Sequence, residues 1–341
     1  MLAILEPYLD KYKRPIYIAM AALLILTAGF REIGFDPDSE NYEYDYRNYF
    51  SNRSEGAVEF SYLWISQLLN NISSDVHAIF LFYALFSILF HFIAYKRLSS
   101  LWFLTIAVYV GFFYEMHELT QIRTGLLSGF FLLAIKPLCE GRRLLALSLI
   151  LAGTCFHVSG FMLLPVLFLS NKEMTVKSRY FWAAVPIIGY FLYFAGSFTL
   201  AQLDIPFIGE KLLTYQEAEE KGKAIATVNV FGALRLFRLF IYYYLLIFYN
   251  IISSENKYVP ILLKLYAIGI AAYSALAPVL GVLADRVGYQ FQLVEVLLIP
   301  MIVYTIRPRW AATLIVLFIS FIMFIYIMPY IFGVTILFNG G

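Results

Sequence analysis

Five short stretches of this chain place charged or ionisable side chains where apolar ones are expected. Arg123 lies in Gln121-Ile-Arg123-Thr-Gly125 inside an otherwise apolar run. Arg235 and Arg238 are three residues apart in another, so a helix would put them on one face. Asp285-Arg286 precedes a third run that carries Glu295, and His157 stands between Phe156 and Val158. A charge inside an apolar run costs several kcal/mol unless it is paired or faces water. A guanidinium keeps its proton and offers parallel N–H donors, which suits phosphate oxygens. Arg123, Arg235, Arg238 and Arg286 are therefore candidate hosts for a phosphate-bearing group. Plainer accounts exist beside this one. An arginine near a span end snorkels to lipid headgroups, Asp285-Arg286 fits a solvated turn, and His157 fits a packing histidine.

The complementary chemistry is proton removal from a hydroxyl, which needs a carboxylate or imidazole within hydrogen-bond reach. The segment Gly34-Phe-Asp36-Pro-Asp38-Ser-Glu40-Asn-Tyr42-Glu43-Tyr44-Asp45-Tyr46 interleaves carboxylates with aromatic rings, a mixture that binds sugars. Asp36, Asp38 and His157 are the candidate bases, with Tyr42 as a sugar contact; a solvated acidic loop at a membrane interface has the same composition. His77, His91 and His117 do not group with His157 at metal-ligand spacing, and His77 and His91 read as structural. Cys139 and Cys155 read as small apolar fillers. We therefore expect no metal, no cofactor and no nucleic-acid partner. Glu217-Ala-Glu219-Glu220-Lys-Gly-Lys223 reads as a wet helix, and the sequon Asn52-Arg-Ser54 carries little weight.

The elements that position these residues are membrane spans. The chain is 61% hydrophobic and only 14% charged, with mean hydropathy +0.75, too few charges for a soluble globule. Apolar runs at 15–30, 76–95, 101–114, 119–138, 144–158, 180–198, 230–252, 258–280, 289–306 and 311–332 read as spans, with 160–170 as one arm of a bent hairpin. That makes an all-α polytopic membrane protein of about 11 transmembrane helices, a single integral domain over 1–341. If the N-terminus is inside, the inside segments hold 15 of the 25 Lys and Arg but only 5 of the 23 Asp and Glu. Basic inside loops set orientation, so the N-terminus is expected in the cytoplasm and the chemistry outside. Two outer loops follow, about 31–75 and 199–229. In the first, residues 58–69 have apolar side chains at helical spacing, predicting a helix on the outer face. The first span reads as a retained anchor rather than a cleaved signal.

In this order, Ile33-Gly-Phe-Asp36 followed by Tyr42, then Gln121-Ile-Arg123-Thr-Gly125-Leu126, then Phe156-His157-Val-Ser159 with Pro165, and finally Asp285-Arg286-Val-Gly-Tyr289, the chain resembles the EpsG/Wzy-like group of bacterial polysaccharide polymerases. Where that group often has adjacent glycine and aspartate, this chain has an extra residue between Gly34 and Asp36. The resemblance covers nearly the whole chain. It implies a GT-C-like inner-membrane glycosyltransferase, metal-independent, with its site facing the periplasm. Its substrates are undecaprenyl-diphosphate-linked oligosaccharides, and it joins O-antigen or exopolysaccharide repeats. From the matching positions, Asp36, His157, Arg123 and Arg286 are expected to be catalytic and Gln121, Tyr42, Asp285 and Tyr289 to bind diphosphate or sugar; the residue reading above adds Asp38 to the first group and Arg235 and Arg238 to the second. Membrane lipids and a chain-length regulator in the membrane are the implied partners. An O-antigen ligase uses the same donor and the same arginine logic. A flippase or exporter of lipid-linked sugars would instead spread charge along a path through the membrane, and a sugar O-acyltransferase would want a histidine on the inside.

Overall fold

The computed structural model describes residues 2–49, 59–199, 229–278 and 281–331. The centre of the first outer loop with its sequon, the second outer loop with the 217–223 charge run, and the C-terminus from 332 lie outside the described residues. Every regular element among those described is helical. A lipid-embedded backbone must satisfy its own polar groups, and a helix does so within one segment.

After a one-turn helix Leu2–Leu5, the chain forms α1 (Lys13–Gly29), α2 (Ser39–Arg47), α3 (Phe60–Asn70) and α4 (His77–Leu98). Next comes α5 (Trp102–Tyr109), which widens into a π-helical stretch, Val110–Thr120, before α6 (Ile122–Cys139) and α7 (Arg143–Thr154). A 3-10 segment, Val158–Phe168, takes the place of the expected hairpin arm. The rest is α8 (Val176–Thr199), α9 (Ala233–Ile247), α10 (Tyr249–Glu255), α11 (Val259–Leu276), α12 (Gly281–Gln292), α13 (Glu295–Leu298), a 3-10 run Ile299–Tyr304, and α14 (Arg309–Ile331).

Five stretches are long and apolar enough to cross a membrane: His77–Leu98, Ile122–Cys139, Val259–Leu276, Leu283–Tyr304 and Arg309–Met328. The expected span at 230–252 is broken, because α9 and α10 meet at 77°. Counting that pair as one span gives six. Asn250, Ser254 and Glu255 are exposed on α10, so its polar end does not continue the apolar face of α9. The remaining apolar elements, α7 and the 3-10 segment after it, are short. Asp285 and Arg286, expected in a turn, lie within α12 instead. No proline or positive-φ glycine interrupts residues 281–292, so the turn residues are simply absorbed into the helix.

Contacts divide the chain into two compact units, Met1–Phe168 with Ile299–Gly341, and Leu169–Leu298. In the first, α4 packs along α6, and α6 along α7. The close approach needs small residues at the contact. A methyl on Gly125 would strike the His117 carbonyl, so the Arg123-Thr-Gly125 motif lets α6 begin flush against the π-helical stretch. In the second unit α11 packs on α8 and α12. Tyrosines clasp helices together in both units, burying the ring and spending the hydroxyl on a neighbour's carbonyl. Tyr17 donates to Phe92 O (2.7 Å), while Tyr242 and Tyr243 donate to Trp182 O and Ala183 O (2.6 and 2.8 Å).

Candidate active site

The acidic loop after α1 is a braced turn, not a solvated tether. Arg31 donates from Nε to Asp36 Oδ2 (2.9 Å) and from Nη1 to Ala28 O (2.8 Å), and its guanidinium lies 3.8 Å from the Phe80 ring centroid. Asp36 Oδ1 accepts the Asp38 N–H (3.1 Å). Ser39 Oγ donates to Asp36 O and accepts the Gly34 N–H (3.1 and 2.8 Å), and Gly34 sits at φ +84°, where a side chain would be strained. The Asp36 side chain is 0% exposed. This geometry gives it the work of closing the turn that launches α2. Asp38 stays half-buried near Tyr42.

Helices α2 and α3 are bound to the ends of α4 and α6 by tyrosines. Tyr62 donates to Tyr42 O (2.9 Å) and Tyr46 to Ser73 O (2.6 Å). Tyr42, Tyr46, Tyr62 and Ile65 form one buried cluster with Ile79, Phe80 and Tyr83 of α4 and with Ile122 and Leu126 of α6. The helix expected over 58–69 is α3; Leu63 is on its buried side, while Phe60, Trp64 and Leu68 form an exposed apolar stripe.

Arg123, on the first turn of α6, enters this cluster with its guanidinium 5.7 Å from the ring centroids of both Tyr42 and Tyr62. Its Nη1 pairs with Glu59 Oε2, and its buried Nε has no hydrogen-bond partner among the described residues. Gln121 marks the turn into α6, its N–H bonding Met116 O (2.7 Å) to close the last wide turn. His157 lies where α7 gives way to the 3-10 segment. Its Nδ1 accepts the Ser159 N–H (3.2 Å) and is 2.7 Å from Ser159 Oγ, while Nε2 is 3.9 Å from Glu59 Oε1. Arg123, Glu59, His157 and Tyr42 therefore meet in one place, although they come from four separate segments.

Burial pushes the Tyr42 phenol up to about 12, against the pull of Arg123's charge. Tyr62 is raised for the same reason, and burial also lifts the Asp45 carboxyl, with Arg123 opposing. At the start of α4, the His77 backbone N–H donates to Asp75 Oδ1 (3.0 Å) and the His77 ring lies beside it, which holds the Asp75 carboxyl below the usual carboxylate range. Deeper in the same unit, Ser128 Oγ lies between His91 Nε2 (2.9 Å) and His117 Nδ1 (3.2 Å), while Ser87 and Tyr109 both donate to Glu118. His117 thus belongs, with His91, to a buried packing network under the site.

The second unit gathers the other candidates. Arg235 donates from Nη2 to Asp285 Oδ1 (2.7 Å) and from Nη1 to Gln292 Oε1 (3.2 Å), and its guanidinium is 3.5 Å from the Tyr273 ring centroid. Arg238 Nε is 2.8 Å from Glu295 Oε1, with both side chains essentially sealed (1% and 0% exposed). Tyr289 has both guanidinia 5.4 Å from its ring. Arg286 is half-buried on α12, one residue and so about 100° around the helix from Asp285. Sequence reasoning missed Glu59, Tyr62, Tyr83 and Tyr273. The only signal for Glu59 was its place immediately before an apolar helix, where an acid complements the N-terminal dipole.

Among known proteins, the chain is 29% identical over 223 residues to the amylovoran biosynthesis protein AmsC of Erwinia amylovora, a stretch covering 62% of this chain and 56% of that protein. The chain thus spans little more than half the length of that relative. No solved structure matches. Residues 15–337 match the EpsG family, and the chain belongs to it.

Proposed function

We propose that this chain is a polymerase of polysaccharide biosynthesis. In this reading it is a membrane glycosyltransferase that moves a growing glycan from undecaprenyl diphosphate onto a lipid-linked repeat unit, at the outer face of the bacterial inner membrane. The observation that carries the reading is Arg123, held at the mouth of α6 between two tyrosine rings with donors to spare and a carboxylate and an imidazole beside it. Family membership and the likeness to a protein named for amylovoran biosynthesis support the polysaccharide side of it.

In the reaction, charge builds on the donor's diphosphate as the glycosidic bond breaks. A preorganised guanidinium in a partly dry site stabilises that charge, usually the largest single catalytic contribution. The buried rings of Tyr42 and Tyr62 flank the Arg123 guanidinium and hold it in place. The expected 11 spans, the GT-C-like bundle, the cytoplasmic N-terminus and a chain-length partner in the membrane belong to this proposal too. All three of Arg123, Arg235 and Arg238 rest on a carboxylate, but Arg123 is the most open of them, 21% exposed against 11% and 1%, which favours it for taking up a diphosphate.

Deletion in the native host, complemented with wild type or Arg123→Ala, tests it. Loss of long polymer, with single repeats still reaching the surface and Arg123→Ala failing at normal expression, supports a polymerase. Long polymer stranded on the lipid carrier makes it a ligase, and lipid-linked repeats trapped inside make it an exporter.

A further inference from the structure

The candidate bases Asp36, Asp38 and His157 lie in the first unit, and Asp38 is half-buried near Tyr42. Asp36 is sealed and spent on Arg31. His157 Nδ1 accepts a backbone N–H, which can only donate, so the neutral ring carries its proton on Nε2 and faces Glu59 as a donor. A nitrogen that already bears a proton cannot take one from a hydroxyl. Glu59 is more open than either Asp36 or His157, at 21% exposed against 0% and 9%. It touches Arg123 with one oxygen and lies nearest His157 with the other.

We propose that Glu59 is the catalytic base of the reaction and is held in reserve as the counterion of Arg123 until the donor's diphosphate displaces it. The inference rests on the polymerase reading above. When the diphosphate oxygens take Arg123, the Glu59 carboxylate is released toward His157 and the incoming sugar. The acceptor O–H bond then breaks, its proton passes to Glu59, and the hydroxyl oxygen bonds to the donor's anomeric carbon. The bond from that carbon to the phosphate oxygen breaks at the same time, and its electron pair leaves on the diphosphate, held by Arg123. His157 Nε2–H donates to a sugar or phosphate oxygen. Glu59 afterwards returns its proton to water and closes again on Arg123, so the charge that waits on the arginine becomes the base only when substrate is present.

The test uses the full-length protein in proteoliposomes with a lipid-linked repeat unit, comparing wild type, Glu59→Gln and Glu59→Asp. Binding of undecaprenyl diphosphate is measured alongside turnover. Glu59→Gln is expected to bind undecaprenyl diphosphate at least as well as wild type, since a competing charge is gone, while turnover falls about 100-fold or more. The rise of rate with pH that reports carboxylate ionisation disappears in Glu59→Gln, and Glu59→Asp recovers part of the activity. Turnover of Glu59→Gln close to wild type overturns the inference. So does loss of binding together with turnover, which makes Glu59 a positioning residue, or a surviving pH limb, which moves the base to Asp38. If wild type itself builds no polymer from the lipid-linked repeat, the polymerase reading fails and this inference falls with it.

Discussion

At the scale of single residues, the four arginines of the two candidate clusters each rest against a carboxylate: Arg31 on Asp36, Arg123 on Glu59, Arg235 on Asp285 and Arg238 on Glu295. The sequence announced most of the arginines but not which carboxylate each would find. Arg123 and Glu59 are 64 residues apart, and no spacing rule spans that distance. Asp36 shows the converse, since its family motif was legible while its burial against Arg31 was not. Tyr42 gives a residue-scale prediction. Its folded phenol titrates near 12 while an unfolded tyrosine titrates near 10. Its contribution to stability is therefore intact below pH 10 and lost as pH rises from about 10 to about 12, by roughly 2 to 3 kcal/mol. Thermal unfolding of Tyr42→Phe across that range should fall less steeply than wild type, and equal slopes refute the assignment.

At the scale of elements, helix identity was legible wherever the apolar run was long and unbroken, as in α4, α6, α11 and α14. Breaks were not, because they depend on what each helix packs against. The 77° bend after α9 and the wide turns of Val110–Thr120 have no proline to announce them, and α12 absorbs two residues that read as a turn. The Arg238–Glu295 pair joins α9 to α13 inside the second unit. Breaking a buried pair from one side leaves an uncompensated charge and costs about 3 to 5 kcal/mol, whereas an apolar pair of similar volume is often neutral or better. Arg238→Met should therefore lower Tm and expression sharply, and Arg238→Met with Glu295→Leu should restore both. If the double variant is no more stable than the single one, the pair is not the fastening between these helices.

At the scale of the whole molecule, the all-helical character and the membrane followed from composition alone, because so few charges leave no way to cover a soluble surface. Five long apolar helices bear out that reading among the described residues, while the expected 11 spans were drawn from hydropathy without seeing which segments bend. Orientation rests on the basic segments, and reporter fusions check it. Alkaline phosphatase joined after Asn71 is expected to be active and after Arg97 inactive; the reverse pattern inverts the molecule. One further consequence follows from α3. Its exposed stripe, Phe60, Trp64 and Leu68, starts at the residue next to Glu59. Whatever grips that stripe also sets where the carboxylate sits. On the polymerase reading, a micelle that seats the helix at a different depth from a native leaflet is expected to change turnover without altering a residue.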